Sequence, residues 1–134
     1  MNPRQFLLLG GIVLVLVGLL GFFGVIGPTA EQSIFGEMWW FDNAENWAHL
    51  VLGVVALVLL MAPAGLQKPV VILVGIVGLL VGLYNFASES LLGANLESPA
   101  DLILHLVVGI WALIAGFRKG GTAEVPPAAS QQQM

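Results

Sequence analysis

Four apolar stretches, roughly 5–27, 43–62, 69–87 and 99–117, limit what this chain can become. Each is close to the ~20 residues that a helix needs to cross about 30 Å of hydrocarbon. Backbone placed in lipid must satisfy its own hydrogen bonds, so each stretch reads as a helix. Composition agrees: 58% of the residues are hydrophobic and 9% charged, with mean hydropathy +0.96, against about 25% charged in an ordinary soluble domain. The expected fold is an all-α membrane protein, with a four-helix transmembrane bundle over 1–119. The remainder, 120–134, is rich in Gly, Pro, Ala and Gln and has no apolar period. It is expected to be a disordered cytoplasmic tail. The first stretch exceeds the roughly 7–15 apolar residues of a cleaved leader and precedes no small-x-small site, so it is read as a retained span.

The basic residues set the orientation. Arg4, Lys68, Arg118 and Lys119 are all of them, and all fall at one set of helix ends. By the positive-inside rule that side is cytoplasmic, which puts both termini inside, in a bacterial cytoplasmic membrane. Glu31, Glu37, Asp42, Glu45, Glu89, Glu97 and Asp101 fall on the other side, and only Glu124 does not.

The chain also repeats itself. Ala44, His49, Leu50, Val51, Gly53, Ala56 and Leu57 in the second stretch recur, without a gap, as Ala100, His105, Leu106, Val107, Gly109, Ala112 and Leu113 in the fourth. Glu45 recurs as Asp101. In the first and third stretches, Val17-Gly18-Leu19-Leu20 matches Val77-Gly78-Leu79-Leu80. The pattern predicts two parallel helical-hairpin repeats related by a pseudo-twofold axis along the membrane normal. Glycines at Gly18, Gly21, Gly24 and Gly27, and at Gly75, Gly78 and Gly82, predict close helix contacts, since small residues let backbones approach in lipid.

Local signals mark the helix starts. Asp42 as cap with Glu45 at the third helical position forms a capping box. Ser98 as cap, Pro99 first and Asp101 third reads as a second one. Asn85 is expected to bond between helices. Trp39, Trp40 and Phe41, just before the second helix, read as a membrane-interface anchor, with a partner-binding patch as the other reading.

The only two histidines, His49 and His105, share one position of the repeat, each four residues after a carboxylate. Glu45, His49, Gly53 and Ala56 line one face of a helix, as do Asp101, His105, Gly109 and Ala112. Both rings would lie about 10 Å below the outer interface, seven residues past the cap. Three readings follow. In the first, the rings are packing residues bonded to a neighbouring helix or to the carboxylate one turn above. Glu45, His49, Asp101 and His105 together could hold a divalent metal such as zinc, which takes nitrogen and oxygen ligands. His49 and His105 could be the axial ligands of a haem, with the carboxylates orienting the rings. A ring-to-ring approach across the pseudo-twofold axis is expected in the last two.

Several classes are excluded or unsupported. With no cysteine there is no disulfide or thiolate chemistry. The net charge of −4 gives no footprint for nucleic acid. No serine or threonine sits in a nucleophile or phosphate-loop motif.

The Gly18-Leu19-Leu20-Gly21-Phe22 run, the stretch from Asp42 to Leu50 with Gly53, and Asp101 with His105, Leu106 and Gly109 carry a resemblance. The chain resembles a family of small four-helix bacterial membrane proteins that has no assigned function. The likeness spans the four stretches and not the tail, and the fourth stretch departs from the second in lacking a counterpart of Asn46. The resemblance implies a four-helix fold in a membrane and no activity. The expected role is that of a non-enzymatic structural or interaction protein, an accessory subunit. Its expected partners are the lipid bilayer and either a second copy or another membrane protein. Metal or haem binding at His49 and His105 is the alternative.

Overall fold

The computed structural model describes residues 1–118, so the expected tail lies outside the described residues. Helix α1 spans Pro3–Phe22, α2 Asn43–Val58, α3 Ala64–Tyr84 and α4 Ala100–Phe117. A 3-10 turn, Leu59–Met61, extends α2. All four helices are long and apolar enough to cross a membrane.

Helix α1 starts earlier than its apolar run. Asn2 caps it: its side chain accepts from Gln5 N at 2.9 Å, and Gln5 Oε1 accepts from Asn2 N at 3.0 Å. Such a cap contributes about 1 kcal/mol. The helix also stops five residues short of the expected end. Gly24 turns out of it with φ +74°, a conformation that a side chain disfavours. Residues 23–27 then run beside the returning chain, with Ile34 N donating to Val25 O and Phe41 N to Ile26 O. Phe41 O fills the space where a side chain on Gly27 would stand.

Helix α3 likewise begins before Pro69, which lies inside it. Its extra turn is tied down by Gln67, which is buried. Gln67 Nε2 donates to Ala62 O at 2.9 Å and to Leu59 O at 3.2 Å. Those carbonyls are the open end of α2, which a helix cannot satisfy from within. A residue expected in an exposed loop thus closes a helix end.

Glycine contacts zip each hairpin. In the first, a Cβ on Gly11 would meet Leu57 at 2.9 Å and Gly53 O at 3.1 Å, and one on Gly53 would meet Val15 N at 2.7 Å. In the second, Gly75 would meet Leu113 at 2.7 Å and Gly109 O at 3.0 Å, and Gly109 would meet Leu79 N at 2.9 Å. Gly18 lies against Leu50 and Gly82 against Leu106. Gly11, Val15 and Gly18 therefore play in α1 the parts that Gly75, Leu79 and Gly82 play in α3. The packing register is one helical turn away from the match of Gly18 with Gly78 read in the sequence. That match rested on a short apolar run, whereas the packing follows whichever glycine faces the partner backbone.

The hairpins meet mainly through α1, which packs against α3 and α4, while α2 and α4 share no extensive interface. At the end where α1 and α3 begin, Phe6, Leu7, Val71, Ala112 and Ala115 form a buried apolar core, with Ala56, Leu59, Leu60 and Trp111 around it. Phe6 meets the Trp111 ring edge-on at 4.6 Å. Arg4, Lys68 and Arg118 belong to this end, and Arg4 donates to Leu60 O at 2.7 Å. It is called the inner end below, and the opposite one the outer end.

Two unequal loops close the outer end. Residues 23–42 carry two 3-10 turns, Ala30–Gln32 and Gly36–Met38. Residues 85–99 carry a two-stranded hairpin, β1 Ser90–Leu91 paired with β2 Ala94–Asn95. Leu92 and Gly93 at its tip both have positive φ, 53° and 87°, the signature of a type I′ turn.

Candidate functional site

The outer ends of α2 and α4 bring the candidate residues into one cluster, with Asp42 and Glu97 beside them. Glu45 lies within electrostatic reach of Asp101, Asp42 and Glu97, and His49 within reach of His105 and Asp101. Glu45 and Asp101 are almost fully buried, at 3% and 1% exposure.

Asp42 caps α2 as its sequence predicts. Its Oδ1 accepts from Glu45 N at 2.8 Å, and Glu45 Oε2 accepts from Asp42 N at 3.2 Å. The start of α4 corrects the expectation. The helix begins at Ala100, and Ser98 makes no capping bond. Asp101 reaches back past Pro99 to Glu97, whose N–H donates to Asp101 Oδ2 at 2.7 Å. Proline has no N–H for a capping box to engage, so the bond goes to the first residue upstream that offers one within reach.

The histidines bond neither to another helix nor to the carboxylates. Nδ1 of His49 lies 2.8 Å from Glu45 O, and Nδ1 of His105 lies 2.8 Å from Asp101 O. A carbonyl only accepts, so Nδ1 carries the hydrogen in both rings. Phe41 stacks on His49, centroids 4.7 Å apart and planes 11° from parallel.

The residues that join the two hairpins come from the loops. Trp39 Nε1 donates to Asp101 Oδ1 at 3.0 Å. Asn95 N donates to Asp42 Oδ2 at 2.8 Å. Trp40 N approaches Glu97 Oε2 at 3.5 Å, a long contact. Ser33 braces this arm by donating from Oγ to Trp39 O at 2.7 Å. The first loop therefore clasps the second hairpin. Trp39 and Trp40 are half-buried and Phe41 is buried, so this triplet faces the protein, while Ile34 and Met38 are exposed at 71% and 73%. Sequence reasoning missed Trp39, Glu97 and Asn95. An aromatic pair beside a helix cap signals an interface, but no local pattern says which carboxylate an indole will find.

Two buried asparagines complete the outer end. Asn46 is fully buried, with its side chain where any side chain on Gly21 would have to go. Asn85 does not bond between helices: its Nδ2 donates to Leu96 O at 2.9 Å and Ser88 O at 3.3 Å. It stands just past the last residue of α3, beyond the helix face, where only the returning loop is within reach.

Among the described residues, no three histidine, aspartate or glutamate side chains gather as a set able to hold a metal ion. Glu45, His49, Asp101 and His105 are instead held by bonds to loops and helix ends. Both Asp101 oxygens accept from N–H groups, one Glu45 oxygen accepts from the Asp42 backbone, and each Nδ1 faces a carbonyl. Surface depressions lined by Met1, Gln5, Leu8 and Leu9, and by Asn85, Phe86, Ser88, Glu89 and Ser98, include neither histidine.

No protein-family model, no curated protein and no solved structure matches the chain.

Proposed function

We propose that this chain is a small integral membrane protein with a non-enzymatic, structural or interaction role, an accessory subunit whose outer loops clasp two helical hairpins into one body. One observation carries the reading: Asp42, Asp101 and both histidine Nδ1 atoms are engaged in bonds that hold loops and helix ends. Trp39 to Asp101 and Asn95 to Asp42 cross between the hairpins, and each ring is tied to its own helix. The two hairpins are read as a parallel repeat about a pseudo-twofold axis. The shared contacts of Gly11, Gly53 and Leu57 with those of Gly75, Gly109 and Leu113 support this. The basic inner end argues for a bacterial cytoplasmic membrane with the termini inside. The resemblance to small four-helix bacterial membrane proteins points the same way and adds no activity.

Helix α2 is the least covered of the four spans, so Val51, Val54 and Val58, all exposed, are where a membrane partner would dock. A photo-crosslinking residue at Val54, activated in native membranes, should give one discrete protein adduct. Lipid adducts alone would end the interaction half of the reading. For the site, His49→Ala and His105→Ala should fold, and purified wild-type protein should carry neither stoichiometric metal nor a visible chromophore. A bound metal or haem lost in both variants would replace the structural reading with a binding one.

A further inference from the structure

The outer clasp contains more carboxylates than it can hold ionised. Around Glu45 of α2 stand Asp101 from α4, Asp42 from the residue before α2 and Glu97 from the second loop; Glu97 in turn adjoins Asp101, which His49 and His105 also reach. No basic side chain answers them among the described residues, since Arg4, Lys68 and Arg118 belong to the inner end. Like charges brought together out of water cannot all ionise, and a proton stays on the group least able to keep its charge.

The hydrogen bonds show which groups keep a charge poorly: Glu45 accepts one bond, from Asp42 N at 3.2 Å, and Glu97 is served worse still. Asp101 accepts two short bonds, from Trp39 Nε1 and Glu97 N, and both favour its anion. Asp42 accepts from Glu45 N and Asn95 N. Glu97 receives only the long approach of Trp40 N, and its Oε1 is buried with no partner. The carboxyl groups of Glu97 and Asp101 are within side-chain hydrogen-bonding reach of each other. Two ionised carboxylates there would only repel, whereas a protonated Glu97 can donate to Asp101.

We propose that Glu97 and Asp101 share a proton, and that this carboxyl–carboxylate bond is a pH-sensitive latch which fastens Trp39 and Trp40 of the first loop over the second hairpin. This deepens the reading of the cluster as a clasp and rests on it. With the proton in place, Glu97 bridges Trp40 and Asp101, and Asp101 is free to hold the Trp39 indole. When the proton leaves for water, two neighbouring anions face each other, and the segment Trp39–Trp40 loosens while the helices stay in place. Burial, with Asp101 adding to it, pushes the Glu97 carboxyl from the ordinary 4.5 up to about 7. The latch is therefore closed on the acid side of neutrality and opens on the alkaline side. The outer face would report the acidity of the space it meets.

The test uses the full chain in lipid nanodiscs, with a carbon-13 label on glutamate and nitrogen-15 on tryptophan. The Glu97 carboxyl resonance should titrate with a midpoint near 7, and the Trp39 indole N–H should shift over the same range. In Glu97→Gln the indole shift should vanish, because the amide keeps the shape and cannot lose the proton. A Glu97 midpoint near 4.5, or an indole titration that survives Glu97→Gln and so follows a histidine, overturns the proposal. Should Glu97→Gln fail to fold, the wild-type Glu97 midpoint alone decides. Loss of the latch would leave the structural role standing if the indole stays bonded to Asp101 at every pH. An indole that is free throughout would remove both.

Discussion

The two ends of the bundle join the same pair of hairpins with opposite chemistry. The inner end is built mainly on apolar packing of Phe6, Leu7, Val71, Ala112 and Ala115, with buried Gln67 tying α3 to the open end of α2. The outer end is polar: Trp39 donates to Asp101 and Asn95 donates to Asp42 from one hairpin to the other. For helices in lipid, apolar packing brings no hydrophobic gain, because lipid tails are as apolar as the core. The inner core therefore supplies shape, and many arrangements of similar volume would serve. The outer clasp supplies identity, because a buried donor left without its acceptor costs about 1–3 kcal/mol. The difference teaches that the outer bonds specify how the two hairpins meet, while register within each hairpin follows its glycine contacts.

Breaking the outer end should therefore cost more than breaking the inner one. The largest effect is expected from Gly21→Leu, because the Asn46 side chain already fills that space and is itself fully buried. Overpacking of this kind costs about 3 kcal/mol. Gly65→Leu is the control, having nothing within 4 Å. Unfolding in mixed micelles checks both, and equal losses would remove the close-contact argument.

Next comes a direct contest of the two ends. Asp101→Ala orphans the Trp39 indole and the Glu97 N–H and should cost about 2–3 kcal/mol. Val71→Ala at the inner core removes two methyl groups in an apolar medium and should cost about 1 kcal/mol. A larger loss at Val71 would reverse the comparison.

The third prediction separates the ends by pH. Glu97 is raised in the folded state, from 4.5 to about 7. A raised carboxyl stabilises the fold fully below its unfolded value, and that stability is lost as pH climbs through the folded one. Amide protection at Asn95 and Glu97, corrected for intrinsic exchange, should fall between about pH 5 and 8. Protection in the inner half of α3 should stay level. Parallel loss at both ends would show global unfolding in place of a local latch.

The smallest effect belongs to the hairpin tip, where Leu92 is almost fully exposed with φ 53°. Leu92→Asn should gain up to about 1 kcal/mol, since asparagine tolerates this region better than leucine. A loss would mean that Leu92 makes a contact outside this chain.

Orientation needs its own check, because Gln67 is buried and a cysteine there would mislead. Cysteines at Gln32 and Leu92 should react with an impermeant thiol reagent added to intact spheroplasts, and one at Gly65 should not. The opposite pattern would invert the assignment of inner and outer ends.

By itself the amino-acid order determined the four helices, the hairpin connectivity and the cap of α2. All of these follow from local rules: apolar runs long enough to cross a bilayer, and an Asp42-to-Glu45 spacing that closes a helix start. It also singled out Glu45, His49, Asp101 and His105, because a repeated residue pair is visible in one dimension. What it left open depended on where side chains meet. The end of α1 moved because Gly24 turns out of the helix and Val25 and Ile26 pair with the returning loop at Ile34 and Phe41. The glycine register moved by a turn because packing selects the glycine that faces a backbone. Trp39, Glu97 and Asn95 acquired roles from partners distant in the chain, and Gln67 from carbonyls that the turn between α2 and α3 brings back to it. Only the tertiary structure set a backbone carbonyl 2.8 Å from each histidine Nδ1 and two N–H donors on Asp101. A hydrogen bond is made or lost within a few tenths of an ångström, and no sequence spacing specifies that distance across two helices.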